Sequence, residues 1–130
     1  MKQVDGQENR PWAAFRWLVW LVYAVAWTRA LLMQVPVPGE TIRRFHEDFF
    51  LFAKCVHLCA YALFAMLTGW LVVPARSRWL LLGLLVLHAA GTEYLQQFTA
   101  DRHASVRDVG LNLVGLGLGV AMTWRLWSEA

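Results

Sequence analysis

The chain has 130 residues, of which 58% are hydrophobic and 16% charged, with a formal net charge of +3. Soluble domains carry about 45–50% apolar and about 25% charged residues, and a chain this short buries too small a share of its surface to hide the excess. The composition therefore argues against a water-soluble domain and for a single domain that uses lipid as its solvent.

Residues 1–11 are polar and end in Arg10-Pro11. The first apolar stretch, Trp12 to Met33, predicts span one. Arg29 interrupts it and no small-x-small cleavage site precedes Gln34, so it is expected to be retained rather than removed as a leader. Val35-Pro36-Val37-Pro38-Gly39 breaks the helix. Residues 40–48 are too polar to cross. Ile42, Phe45 and Phe49 recur there at helical spacing, which suits a short amphipathic helix along the interface. Span two runs from Phe49 to Val73 and stops at Pro74. The short loop Pro74–Arg78 makes spans two and three antiparallel neighbours. Span three runs from Trp79 to Phe98, a polar loop covers Thr99–Val106, and span four runs from Arg107 to Trp127. Each span has about the ~20 residues that a hydrocarbon core of ~30 Å requires. Lipid offers backbone groups no partners, so the spans are expected to be helices. The expected fold is all-α, an integral membrane four-helix bundle forming one domain over residues 1–130.

Four spans place both termini and the 74–78 loop on one side, face A, and the 34–48 and 99–106 loops on the other, face B. Trp12, Trp17, Trp20, Trp70, Trp79, Trp124 and Trp127 fall toward face A and only Trp27 toward face B, an aromatic anchor belt on one side. Basic residues divide less sharply: Lys2, Arg10, Arg16, Arg76, Arg78 and Arg125 on face A, and Arg29, Arg43, Arg44, Arg102 and Arg107 on face B. Discounting Arg102 and Arg107 as members of a buried site makes face A the cytoplasmic side by the positive-inside rule. The expected location is the inner (plasma) membrane, multi-pass, with cytoplasmic termini. No basic run exceeds Arg43-Arg44 and the aromatics sit in apolar stretches, so no nucleic-acid partner is expected.

Ionisable groups inside spans are costly and so are functional candidates. Span two carries Lys54, His57 and Tyr61 on one stripe. Span three carries Glu93 and Gln96, and span four carries Asp108 and Asn112. Spans two and four enter from face B and span three exits there, so all of these groups fall at one depth, with Arg102 and Ser105 in the loop above. This predicts one polar cluster between helices, open toward face B. A buried carboxylate needs a partner, and Lys54, Arg102, Arg107 and His57 are candidates for Glu93 and Asp108. Two readings stay open: an ion-pair network that fixes helix register, and a pocket for a polar ligand or lipid headgroup. His57, Glu93 and Asp108 are the candidate acid–base groups. Their spacing is not compact enough for a metal site, and no cofactor is expected.

Other polar or small residues read more simply. His88 stands alone in mid-span as a hydrogen-bonded packing residue. Arg16 and Arg29 are long enough to reach their nearer interfaces. Cys55 and Cys59 are four apart on one helix face and read as small hydrophobes. Gly115-x-x-x-Gly119 is a close-approach motif and a possible face for a second copy of the chain.

Glu93-Tyr-Leu-Gln96, then Arg102-His-Ala-Ser105-Val-Arg-Asp108-Val-Gly-Leu-Asn112-Leu-Val-Gly115, resembles the VanZ-like family, which carries Glu-x-x-Gln and Arg-x-x-Ser-x-x-Asp-x-x-x-Asn-x-x-Gly. Lys54-Cys-Val-His57-Leu-Cys-Ala-Tyr61 is similar to the family's Lys-x-x-His-x-x-x-Tyr element. Ala53 stands where the family often has an acid, and Ala100-Asp101 where it often has Pro-Gly. The resemblance implies a small multi-span membrane protein of a family associated with resistance to the glycopeptide teicoplanin.

The expected function is to engage a cell-envelope lipid or lipid-linked intermediate through Lys54, His57, Tyr61, Glu93, Gln96, Arg102, Ser105, Asp108 and Asn112. Arg102 and Lys54 would hold an anionic group, with Asn112 and Gln96 orienting it. The alternatives are a membrane-embedded enzyme acting on such a lipid and a non-catalytic structural or accessory subunit.

Overall fold

A computed structural model describes residues 10–33, 46–98 and 106–128. Among them are helices and no strand: α1 (Arg10–Leu32), α2 (His46–Trp70), α3 (Ala75–Gln96), α4 (Val106–Met122) and the short α5 (Trp124–Ser128). The all-α expectation therefore holds. By length and apolarity α1 and the Leu51–Trp70 part of α2 could each cross a membrane.

The helix ends differ from the expected spans for local reasons. The second helix stops at Trp70, three residues early, where Leu71 N–H turns back to the Thr68 carbonyl at 3.2 Å. The expected 74–78 loop is instead the start of α3. Pro74 caps it, with a φ of −57° that suits the entry to a helix. The fourth span is not continuous. Thr123 directs both its N–H and its hydroxyl at the Gly119 carbonyl, at 3.2 and 2.7 Å. The chain then restarts as α5. The expected amphipathic helix over 40–48 falls largely outside the described residues.

Cross-helix bonds establish direction. Trp20 donates to Thr68 Oγ1 and Tyr23 to the Ala60 carbonyl, both at 2.8 Å, so α1 and α2 run antiparallel. Thr28 meets His88 and the Leu31 carbonyl accepts from Gln96, so α3 runs parallel to α1 and therefore antiparallel to α2. α2 and α4 run parallel, and they form the closest pair. A β-carbon on Gly115 would press on the Leu58 carbonyl and lie 3.2 Å from Tyr61 Cβ. One on Gly119 would press on the Ala62 carbonyl and lie 2.8 Å from Ala65 Cβ. This stripe, expected as a possible face for a second copy, is instead occupied inside the chain. Glycine is needed here because nothing larger admits the neighbouring backbone.

At the opposite end Trp127 is buried, with its indole against Gly69 and its ring centroid 5.1 Å from that of Trp79. Arg16 donates to the Trp70 carbonyl at 2.9 Å and lies over the Trp70 ring. Arg78 donates to the Leu126 and Leu71 carbonyls. These arginines serve carbonyls at helix ends that lack an intrahelical donor.

Polarity is inverted relative to a soluble protein. Val25, Leu80 and Leu87 are each 67% exposed, whereas Thr68, Thr92, Glu93, Gln96 and Asn112 are buried.

The close approach makes a direct prediction. Gly119→Ala should destabilise the fold by about 1–3 kcal/mol, the usual cost of overpacking. Gly117→Ala, at a site with no atom within 4 Å, should raise stability by up to about 1 kcal/mol. Unfolding of both variants in matched detergent measures the contrast.

Candidate functional site

The site begins with the parallel pairing of α2 and α4. Because their backbones touch at Gly115 and Gly119, the side chains nearer the start of each helix are brought side by side. Lys54 on α2 donates to Asp108 Oδ1 on α4 at 2.5 Å. The side chains are 23% and 30% exposed, so the pair lies at the rim rather than in the centre. Asp108 sits in the first turn of α4, where the positive end of the helix dipole favours a carboxylate.

One turn deeper on the same stripe is Asn112, 1% exposed. Its Oδ1 has no hydrogen-bond partner. Leaving a buried acceptor unsatisfied costs about 1–3 kcal/mol, so this residue opposes stability where it stands.

α3 contributes Glu93 and Gln96, 5% and 4% exposed. Gln96 donates its amide to the Leu31 carbonyl at 2.9 Å, fastening the last turn of α3 to the last turn of α1. Glu93 lies one turn earlier on the same helix. His57 is half-buried and packs edge-on against Trp27, with ring centroids 5.6 Å apart.

Tyr61 belongs to a different level. It is fully buried, and its hydroxyl meets His88 Nδ1 at 3.2 Å and Thr92 Oγ1 at 3.3 Å. Thr28 of α1 completes the group: its hydroxyl donates to the Ala24 carbonyl at 2.7 Å and meets His88 Nε2 at 2.8 Å. Since the Thr28 proton is committed to Ala24, His88 Nε2 must be the donor in that bond. Nδ1 is then left to accept from Tyr61. Thr92 in turn donates to the His88 carbonyl at 2.8 Å. One imidazole thus joins three helices. His88 is thus the hydrogen-bonded packing residue that the sequence predicts, while its partners Thr28 and Thr92 are not singled out there. The one-turn spacing of His88 and Thr92 was the available signal.

Of the nine expected site residues, Lys54 and Asp108 are brought into contact, and Asn112, Glu93 and Gln96 are buried on the helices beside them. His57 rests on Trp27, and Tyr61 is directed to His88. Arg102 and Ser105 lie outside the described residues. Among the described residues no cluster of three or more His, Cys, Asp or Glu side chains could hold a metal ion. At the rim the chemistry on offer is an ammonium and a carboxylate, with the Asn112 amide oxygen buried one turn below.

A family model described as VanZ/LLP1 matches residues 12–127, a stretch that includes all three sequence elements resembling that family. No curated protein and no solved structure matches the chain.

The ion pair makes a coupling prediction. Lys54→Met and Asp108→Asn should each destabilise the protein by about 1–3 kcal/mol, because each strands a partly buried charge or its partner. The double variant should lose less than the sum by at least about 0.5 kcal/mol. A double-mutant cycle of unfolding free energies reads the coupling.

Proposed function

The chain belongs to the VanZ/LLP1 family, and from that membership and the geometry of the site we propose that it is a four-span membrane protein whose polar site takes the head of a cell-envelope lipid. The exposed leucines and valines then face acyl chains, and Glu93, Gln96 and Asn112 are buried away from them. In this reading the termini are cytoplasmic, the Lys54–Asp108 rim opens to the outer leaflet, and the lipid's tails stay in the bilayer while its head enters between helices.

The observation that carries the reading is Asn112. A fully buried amide oxygen with no hydrogen bond is a cost that a purely structural core avoids by using leucine. A ligand donor at that point would remove the cost. The partly exposed ion pair one turn above gives the same point an opening.

A second reading, an internal brace with no ligand, is favoured by Gln96, whose amide holds α3 to α1. The two readings separate at one substitution. Asn112→Leu should raise stability by about 1 kcal/mol, since it removes an unsatisfied polar group without opening a cavity. It should also abolish enrichment of any lipid carried by the protein through extraction into polymer-bounded native nanodiscs. Lipid mass spectrometry of wild type, Asn112→Leu and the outer-face control Leu87→Ala makes the comparison. An unchanged lipid profile in Asn112→Leu would leave only the brace. Any role in glycopeptide resistance follows from the same site: in a host made resistant by this chain, Asn112→Leu should lose the phenotype while the protein stays abundant.

A further inference from the structure

α1 carries an arginine toward each end, and the two are treated differently. Arg16 donates to the Trp70 carbonyl and lies over the Trp70 ring. Arg29, in the last turn, is exposed, and among the described residues its guanidinium meets no hydrogen-bond or ion-pair partner. A guanidinium keeps its charge throughout the physiological range and holds five N–H donors in a planar fork. Hydrocarbon is a costly place to leave it.

Beside Arg29 the surface is hollow. Ala24, Val25, Thr28 and Arg29 line an open groove of about 370 Å³. The four positions make one stripe along α1, and Ala24 and Thr28 are too small to fill it. Thr28 turns its hydroxyl to the Ala24 carbonyl and to His88 Nε2, so the groove is lined almost wholly by carbon. The helix thus presents a cation at its end and an apolar trough about one turn deeper.

We propose that this groove is a lipid site of its own, on the outer face of α1 and apart from the polar site between α2 and α4. Arg29 takes the phosphate of an anionic diacyl lipid, and one acyl chain lies along Ala24, Val25 and Thr28. In the proposed bilayer a lipid brings both chemistries in the order the helix presents them, phosphate at headgroup level and hydrocarbon beneath. The guanidinium fork matches two phosphate oxygens at once. A second copy of the chain would bring hydrocarbon, but of its described carboxylates Asp108 is bonded to Lys54 and Glu93 is buried.

The test holds the tails constant and varies the phosphate. Purified protein in detergent is titrated with phosphatidylglycerol or with a monoglucosyl diacylglycerol of the same chains. Native mass spectrometry counts bound lipid and reads oligomeric state together. Phosphatidylglycerol should be retained about tenfold better than the glucolipid, the discrimination a charge-assisted hydrogen bond supplies. Arg29→Gln should lose one phosphatidylglycerol per chain, and Arg29→Lys should keep part of the preference. Val25→Phe, which crowds the groove from its exposed wall, should weaken retention of the same lipid. Asn112→Leu should leave that lipid in place. If the preference survives Arg29→Gln and is lost in Asn112→Leu, the phosphate sits in the polar site; the groove assignment falls and the lipid-head reading stands. If Arg29→Gln and Val25→Phe change only the dimer fraction, a second copy fills the groove and the lipid assignment is wrong. Equal retention of the two lipids by the unmodified protein overturns it as well.

Discussion

Everything in this structure hangs on how closely α2 and α4 approach. Gly115 and Gly119 let the backbone of one helix rest on the carbonyls of the other, at Leu58 and Ala62. A parallel pair in such close contact has a fixed register, because a slide of even one residue would put side chains where only hydrogen fits. The register in turn decides who meets whom nearer the helix starts. Lys54 reaches Asp108 because the glycines are where they are, and Asn112 is buried because it lies between that pair and the Gly115 contact. Packing here comes first and electrostatics follows.

The interior is graded along the bundle. At one end Arg16 and Arg78 serve the carbonyls of helix ends, and Trp127 covers Gly69. In the middle the Thr28–His88–Tyr61–Thr92 group joins α1, α2 and α3 through hydrogen bonds centred on the His88 imidazole. Toward the other end lie the buried Asn112 amide and a rim-exposed ion pair. A well-satisfied network rigidifies its surroundings, and a partly satisfied one is unstable unless something else completes it.

Much of this was legible in the sequence, and the limits have a physical cause. Helical class followed from apolar run lengths of about 20 residues. The meeting of Lys54 with Asp108 is the part of the expected cluster that the structure displays, and alternating helix direction is enough to anticipate it. What could not be read was azimuth. The Gly115–Gly119 stripe suits a partner inside or outside the chain equally well, and only the fold turns it toward α2. Tyr61 shares a stripe with Lys54 but lies two turns deeper, where α3 presents His88 rather than Glu93. The break at Thr123, where Leu126 N–H bonds back only three residues to the Thr123 carbonyl, carries no proline or similar breaker in the sequence. Arg102 and Ser105, the loop members of the expected site, lie where the structure describes nothing.

The parallel pairing of the second and fourth helices has a consequence for how the molecule is made. Lys54 and Asp108 are separated by 54 residues, with the whole of α3 between them. At synthesis rates of about 5–20 residues per second, the lysine emerges roughly 3–10 seconds before its carboxylate exists. In the proposed bilayer the growing chain would hold that ammonium near the headgroups through the delay. The last helix to arrive would then draw it inward, so the step that neutralises the charge is also the step that closes the bundle.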